Sequence, residues 1–231
     1  MAGVRGAFAA VAVLAAIALA ACTMTDTEDD DMNSDATSQL WAAVDATDVD
    51  AAARAIDAGA DIEARGEQDR TPLVAATKHE DVETVRVLLH AGADPNAQDA
   101  IQDSAFLYAG AQGLDDIVEL TLEHGADVTS TNRFGGTALI PASERAHLST
   151  MRILIDAGVP LDHVNRLGWT ALHEAIVLGD GGPDHLSAVR LLLDAGADPE
   201  LPDCDGTSPR ELASGRGYSK IVAAIDAATG E

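Results

Sequence analysis

The residues of this chain that could support catalysis or metal binding do not form a pattern that would do so. The seven histidines are scattered without the spacing of metal ligands. A Gly-x-Ser-x-Gly nucleophile turn, a His-Glu-x-x-His metal helix and a phosphate-binding Gly-x-x-x-x-Gly-Lys loop are absent from the sequence. The segment Gly215-Arg-Gly-Tyr-Ser-Lys220 has the wrong spacing for a phosphate loop and fits a turn between two helices. We therefore predict that the chain is not an enzyme and holds neither a cofactor nor a metal.

Two carboxylates in a glycine-rich segment could bind calcium. They are Asp180 and Asp184, at either end of Asp-Gly-Gly-Pro-Asp. The ligand spacing of a calcium-binding loop and its closing glutamate are missing, and glycine and proline at these positions are typical of a surface loop. We therefore interpret the segment as a tolerated loop.

Protein recognition is a better match to the residue types present. Aromatic residues make up only 3% of the chain, yet Phe134 and Trp169 each follow an arginine in a polar segment. Similar polar segments hold Arg65, Arg70 and Ile101. Arginine and aromatic side chains are frequent interface hot spots. The alternative is that Phe134 and Trp169 cover their own neighbours and that the arginines offset nearby acids. The candidate partner-binding residues are Tyr108, Arg133, Phe134, Arg166, Leu167 and Trp169.

A repeated unit must position these residues, because one short motif recurs along the chain. Asp-Ala-Gly-Ala-Asp and close variants place glycines at positions 59, 92, 125, 158 and 196, so the spacing is 33, 33, 33 and 38 residues. Such a period is typical of a supersecondary unit that stacks on its copies into an elongated solenoid. The five extra residues of the last interval coincide with the glycine-rich loop.

Each unit carries the signals of two short helices. Ser or Thr begins the first helix as an N-cap, because its hydroxyl group accepts a hydrogen bond from a free amide of the first turn. The glycine suits the left-handed residue that ends the second helix. An alanine recurs in the first helix, where it would let neighbouring units approach closely. The predicted caps are Ser38, Thr71, Ser104, Thr137, Thr170 and Ser208, and the alanines are Ala43, Ala76, Ala109, Ala142 and Ala175.

This pattern resembles the ankyrin repeat, and Thr170-Ala-Leu-His-Glu-Ala175 is the nearest copy of that family's Thr-Pro-Leu-His-x-Ala signature. The resemblance covers residues 38–229 and implies an all-α solenoid of about six helix-turn-helix repeats with hairpin fingers. It also implies that His173 is structural, since in that family the His and Thr side chains tie the turn to its neighbour. The fingers and first helices of such stacks line the usual binding surface, where the candidate residues would lie.

The N-terminal segment predicts export. Residues 7–21 form an apolar run of fifteen residues after the single charge of Arg5. This is too short to span a bilayer, which takes about 20 residues, and it matches the apolar region of a secretory signal. Leu19-Ala-Ala-Cys22 resembles the lipobox of bacterial lipoproteins, which implies cleavage before Cys22 and lipid attachment to it. An ordinary signal peptide with an incidental cysteine is the alternative.

We accordingly divide the chain into three parts. These are a lipoprotein signal peptide at 1–21, a lipidated Cys22 with an acidic disordered tether at 22–37, and the ankyrin repeat domain at 38–231. The tether holds acidic but no basic residues, so it should repel itself and stay extended. The resemblance implies anchoring to the bacterial membrane, which in a Gram-negative cell is the outer membrane facing the periplasm.

The net charge of the chain limits the classes of partner that it can bind. With 14 basic and 39 acidic residues the chain carries a charge of −25, which disfavours nucleic acid and bare anionic membrane and favours a basic protein. Solubility in salty surroundings explains the charge equally well. Once Cys22 is acylated, Cys204 is the sole remaining cysteine, so no intramolecular disulfide is available.

Three functions fit these observations. The first is a monomeric, membrane-tethered ankyrin repeat module that mediates protein–protein interaction in the bacterial envelope and touches the membrane through its lipid anchor only. The second is a periplasmic immunity or inhibitor protein that captures a toxin or an enzyme. The third is a structural or stress-related envelope protein without a stoichiometric partner.

Overall fold

The computed structural model of the protein describes residues 33–230. The predicted signal segment at 1–21, the predicted lipidation site Cys22 and the acidic residues up to position 32 lie outside this range. Within it, no helix combines the length and apolarity that crossing a bilayer requires.

The described residues contain twelve α-helices and no strand, and the α-helices follow one another as helix-turn-helix pairs. Six pairs confirm the predicted all-α solenoid of about six repeats. The helices are α1 (33–45), α2 (Val49–Asp57), α3 (Pro72–Lys78), α4 (Val82–His90), α5 (Ala105–Gln112), α6 (Asp115–Glu123), α7 (Leu139–Glu144), α8 (Leu148–Asp156), α9 (Ala171–Val177), α10 (Pro183–Asp194), α11 (Pro209–Gly215) and α12 (Ser219–Thr229).

The core runs the length of the stack. The first helices of successive repeats pack on one another in one row, and the second helices pack in another, so the apolar side chains between them form one continuous cluster. The recurring alanines predicted to allow close approach are all buried. A Cβ atom added at Gly110 on α5 would lie 2.8 Å from the Cβ atom of Ala138 in the next repeat, which shows how closely the first helices pack.

Hydroxyl caps begin four of the first helices, as predicted. The side chains of Thr71, Ser104, Thr170 and Ser208 each accept a hydrogen bond from the amide three residues later, at 3.2 to 3.4 Å. The cap predicted at Thr137 is wrong. Ala138 already has helical backbone angles, and the carbonyl oxygen of Thr137, not its hydroxyl, accepts from the amide of Ile140 at 3.2 Å.

The folded domain begins before Ser38, which corrects both the cap predicted there and the predicted end of the disordered tether at residue 37. Residues 33–45 are helical, and the hydroxyl of Ser38 donates to a backbone carbonyl one turn earlier at 2.9 Å. Ala36 and Leu40, one helical turn apart, are both buried. Burial of this face outweighs the repulsion that the acidic composition predicts.

The predicted helix-ending glycines have the expected left-handed backbone. Gly59, Gly92, Gly125, Gly158 and Gly196 have φ values between 85° and 98°. A Cβ atom at any of them would meet no other atom within 4 Å. Glycine is therefore required by the backbone conformation and not by a lack of space.

Each linker between repeats contains a tight turn, which we call a finger. In every finger the amide of the first residue donates to the carbonyl oxygen of the last at 2.9 to 3.0 Å. Neighbouring fingers are also joined, since the amide of Arg166 donates to the carbonyl oxygen of Phe134 at 2.9 Å. The predicted hairpin fingers are thus hydrogen-bonded turns without paired strands within the described range. They comprise residues 66–70, 99–103, 132–136, 165–169 and 203–207.

His173 acts within its own repeat. Its Nδ1 atom lies 2.8 Å from the hydroxyl oxygen of Thr170, while its Nε2 atom has no hydrogen-bond partner among the described residues. Burial lowers the pKa of His173, so the ring is neutral at pH 7. The tie between repeats that the family resemblance implied for His173 is therefore not made by its side chain.

Other side chains join the repeats, at the ends of the first helices. The last carbonyl groups of a helix lack intrahelical donors. In four places a side chain of the following repeat bonds to a carbonyl group in the last turn of a first helix or, for Gly179, just beyond it, at 2.6 to 3.1 Å. The bonds join His79 to Val44, Arg145 to Ala111, His185 to Glu144 and Tyr218 to Gly179.

Candidate functional site

A groove of about 440 Å³ lies between the fingers and the first helices of the second to fifth repeats. We call it the finger groove. Its apolar side includes the finger residues Ile101, Phe134 and Leu167, and its polar floor includes Tyr108 on α5 and Glu174 on α9. Because the fingers recur at the repeat spacing, residues far apart in the chain come to line one continuous surface.

Four of the six predicted partner-binding residues line the finger groove, namely Tyr108, Arg133, Phe134 and Leu167. The other two do not line it. Arg166 turns its guanidinium toward the neighbouring finger and donates to the carbonyl oxygen of Arg133 at 2.5 Å. Trp169 is half-buried at the last position of its finger, where its backbone closes the turn. That all six residues bind a partner stays a prediction.

Apolar finger residues stand out from the surface. Phe134 and Leu167 are each 52% exposed, and Ile101 and Leu178 at the two ends of the groove are exposed as well. The guanidinium carbon of Arg133 lies 4.7 Å from the centre of the Phe134 ring, a distance at which the cation and the ring attract each other. Apolar residues clustered in this way commonly mark an interaction site.

At one end of the groove, positive charges are paired with acids. The ammonium group of Lys78 lies 3.0 Å from carboxylate oxygens of both Asp99 and Asp103 and 4.7 Å from the centre of the Tyr108 ring. Arg133 lies 3.8 Å from the other carboxylate oxygen of Asp103. The charges at this end therefore largely neutralise one another.

Asp99 organises that end. Burial by itself would raise the pKa of Asp99, but hydrogen bonds from the backbone amides of Asp103 and Ile101 and the ammonium of Lys78 outweigh it, so the pKa lies below its usual value. The carboxylate thus stays ionised. It accepts hydrogen bonds from two amides of its own finger and forms an ion pair with Lys78.

At the other end, a buried carboxyl group forms no ion pair with any described residue. Glu174 is 6% exposed, and its Oε1 atom accepts a hydrogen bond from the side-chain amide of Asn165 at 2.8 Å. Burial and, to a smaller extent, the negative charge of Glu144 together raise the pKa of Glu174 to about 7, although the hydrogen bond from Asn165 opposes both. The two ends of the groove therefore differ in how well their charges are compensated.

Sequence reasoning missed Lys78, Glu144, Asn165 and Glu174. For Glu174 the sequence offered one signal, its place within the segment that matches the family signature. In the structure nearly all residues of that helix are buried. For Asn165, its place as the first residue of a finger was another signal. Nothing in the sequence indicates that these residues meet Glu144 of the preceding repeat.

The glycine-rich loop between α9 and α10 uses its carboxylate internally. Asp180 accepts from the amide of Gly182 at 2.7 Å and lies 2.9 Å from Nδ1 of His185, while Asp184 lies in the first turn of α10. The part of the chain that the structure describes holds no group of three or more His, Cys, Asp or Glu side chains suited to a metal ion.

Comparison with known proteins agrees with this geometry. A family model described as ankyrin repeats, in three copies, matches residues 9–99 and 106–203. The chain is also similar to the ankyrin repeat protein YahD of Escherichia coli strain K12, with 49% identity over 57 residues. That match covers 25% of this chain and 28% of the relative, so the chain spans well under two thirds of this curated relative.

Two solved structures extend the similarity to most of the chain. An ankyrin repeat domain from Acinetobacter baumannii AYE is 49% identical, has a TM-score of 0.80, and is matched over 82% of this chain and 97% of its own. The ankyrin repeat domain of Bcl-3, a member of the IkappaB family, is 27% identical with a TM-score of 0.75, over 82% of this chain and 85% of its own. Repeat spacing, helix pairs and these matches agree, and the chain belongs to the ankyrin repeat family.

Proposed function

We propose that the protein is an envelope-tethered module that binds a protein partner through the finger groove while a lipid anchor on Cys22 holds it at the bacterial membrane. Ankyrin repeats are protein–protein interaction modules, which is the general part of this function. The specific part is the surface used. The observation that carries it is the exposure of Phe134 and Leu167 over one groove with a polar floor.

The chemistry of the groove favours a protein over a small molecule or a nucleic acid. Its apolar side is open to solvent along three successive fingers, whereas a small-molecule pocket encloses most of its ligand. The charge of −25 repels nucleic acid. An extended apolar strip beside charged groups suits a polypeptide segment that offers both kinds of side chain.

Anchoring is supported by the sequence. The apolar run at residues 7–21 leads directly to Cys22 and then to acidic residues. One acyl chain holds a protein at a membrane only weakly, and two or more are needed for stable attachment. Residues 23–32 would then separate the repeats from the bilayer surface.

Partner binding should depend on Phe134. Phe134→Ala should weaken binding by about 2 kcal/mol, or roughly thirtyfold, because an aromatic ring at an interface centre loses most of its buried area on truncation. The partner is to be identified by affinity capture from detergent-solubilised envelopes and its affinity measured by calorimetry. Val164→Ala is the matched control, since Val164 is also exposed but does not line the groove. Equal affinities of all three proteins would contradict the proposed surface.

Membrane attachment should depend on Cys22. Cys22→Ser removes the thiol that would carry the lipid, so metabolic labelling with a fatty acid should be lost and the protein should leave the membrane fraction. Cys204→Ser is the control and should retain both properties, because Cys204 lies in the last finger of the repeat domain. An unlabelled parent whose membrane association survives Cys22→Ser would refute the lipid anchor.

A further inference from the structure

The other end of the finger groove, which we call its acidic end, holds two carboxyl groups that form no ion pair among the described residues. Glu174 on α9 is bonded to Asn165 alone among the described residues. The carboxylate of Glu144, at the end of α7, lines the same groove and forms neither an ion pair nor a side-chain hydrogen bond within the described range. Their charges are close enough for Glu144 to disfavour ionisation of Glu174.

The basic side chains of the neighbouring elements have other partners. Arg145, next to Glu144, donates from its guanidinium to the carbonyl oxygen of Ala111 at 2.6 Å. On α10, the Nε2 atom of His185 lies 2.9 Å from the backbone carbonyl oxygen of Glu144 and its Nδ1 atom faces Asp180. On α11, Arg210 binds Asp226, and Glu211 caps its own helix at Ser208. The contacts of the described residues thus give Glu174 a hydrogen bond from Asn165 and no ion pair.

At the opposite end of the groove, by contrast, the carboxylates are paired with a cation. There Lys78 lies between two carboxylates at 3.0 Å from each, and the cation and the acids compensate one another. At the acidic end, Glu174 and Glu144 line the groove without an ion pair among the described residues. A buried carboxylate without a paired cation raises the free energy of the folded state. A cation at short range would offset the cost of desolvating this carboxylate and its repulsion by Glu144.

We propose that Glu174 and Glu144 together receive one lysine or arginine side chain of the protein partner. This inference rests on the proposed function and specifies the chemistry of the bound segment. The apolar side chains of that segment pack on Phe134, Leu167 and Leu178, which are exposed along the same groove. The basic side chain fixes the register of the segment, because Asp103, the other acidic residue that lines the described groove, is already paired with Lys78 and Arg133.

The test uses peptides as the probe. Short random peptides displayed on phage are selected against the purified protein at about pH 8, where Glu174 is ionised. The selected peptide is synthesised, and its affinity is measured for the parent, Glu174→Gln and Glu144→Gln. Glutamine keeps the side-chain oxygen that accepts from Asn165 and removes the charge. Glu119→Gln is the matched control, since Glu119 is exposed on α6 outside the groove.

We expect selected peptides to carry a lysine or arginine beside apolar residues. Glu174→Gln should weaken such a peptide by about thirtyfold, since removing one partner of a buried charge pair is costly, and Glu119→Gln should have no effect. Replacing the peptide's basic residue by methionine should weaken binding to the parent similarly but cost little in the Glu174→Gln protein. Lowering the pH below 7 should also weaken the parent complex, because Glu174 then binds a proton.

Three results would overturn the inference. These are selection of peptides without a basic residue, selection of none, and unchanged affinity in both Glu174→Gln and Glu144→Gln. If neutral peptides bind and Phe134→Ala still weakens them, the groove remains the binding surface and only the cation position is wrong. If binding is insensitive to Phe134→Ala as well, the proposed function fails with it.

Discussion

Replacing Phe106 with alanine is expected to lower the free energy of unfolding by about 4 kcal/mol. The ring is completely buried on α5, in the middle of the row of first helices. Its removal loses the transfer free energy of a large apolar side chain and leaves a cavity that close-packed neighbours fill only in part. Urea denaturation followed by circular dichroism measures the change.

The matched control is Phe134→Ala, the same substitution on a ring that is 52% exposed. It should change the free energy of unfolding by less than about 0.5 kcal/mol, as surface substitutions usually do. The pair of variants thus separates a ring that stabilises the stack from a ring that is available to a partner. A comparable loss of stability from Phe134→Ala would mean that this ring belongs to the stack.

The second large effect depends on pH and concerns Glu174. Its pKa rises from an ordinary 4.5 to about 7 in the folded protein. Between these values the folded state holds a proton that the unfolded chain has lost. The contribution of this carboxyl to stability is therefore fully present below about pH 4.5 and is lost as the pH rises through 7. Glu174→Gln removes the ionisation altogether.

We therefore compare the free energy of unfolding of Glu174→Gln with that of the parent. We expect the difference, variant minus parent, to increase by about 3 kcal/mol as the pH rises from 4.5 to about 8. Urea denaturation of both proteins across this range measures the difference, from which the repulsion among all other acids largely cancels. Glu119→Gln should show no such trend, because Glu119 is exposed on α6. A difference between Glu174→Gln and the parent that stays constant with pH would show that Glu174 ionises normally.

Much of the fold could be predicted because its signals are local. A glycine such as Gly92 is needed for a left-handed backbone, and a hydroxyl such as that of Thr71 satisfies a free amide. The start of α1 could not be predicted, because it depends on how Ala36 is buried against the rest of the stack. The exception at Thr137 has the same origin, since backbone geometry at Ala138 replaces the side-chain cap.

Some residues of the candidate site could likewise be predicted from the sequence, and others could not. The tips of the fingers follow from the repeat spacing, so Phe134 and Leu167 could be placed on one surface from the sequence. Trp169 could not be distinguished from them, because its distance from the groove depends on which position of the turn it occupies. The acidic end could not be foreseen either. Glu174 and Glu144 lie on helices of different repeats, and the burial of Glu174 arises only when those repeats stack.

The most direct test of the finger groove as a partner-binding surface is photo-crosslinking in the intact cell. The full chain is produced with benzoylphenylalanine at position 134, an aromatic replacement for Phe134, or at the exposed outer-helix position of Glu119. We predict a single crosslinked protein species from position 134 and none from position 119. A crosslink from position 119 alone, or none from either position, would contradict the account.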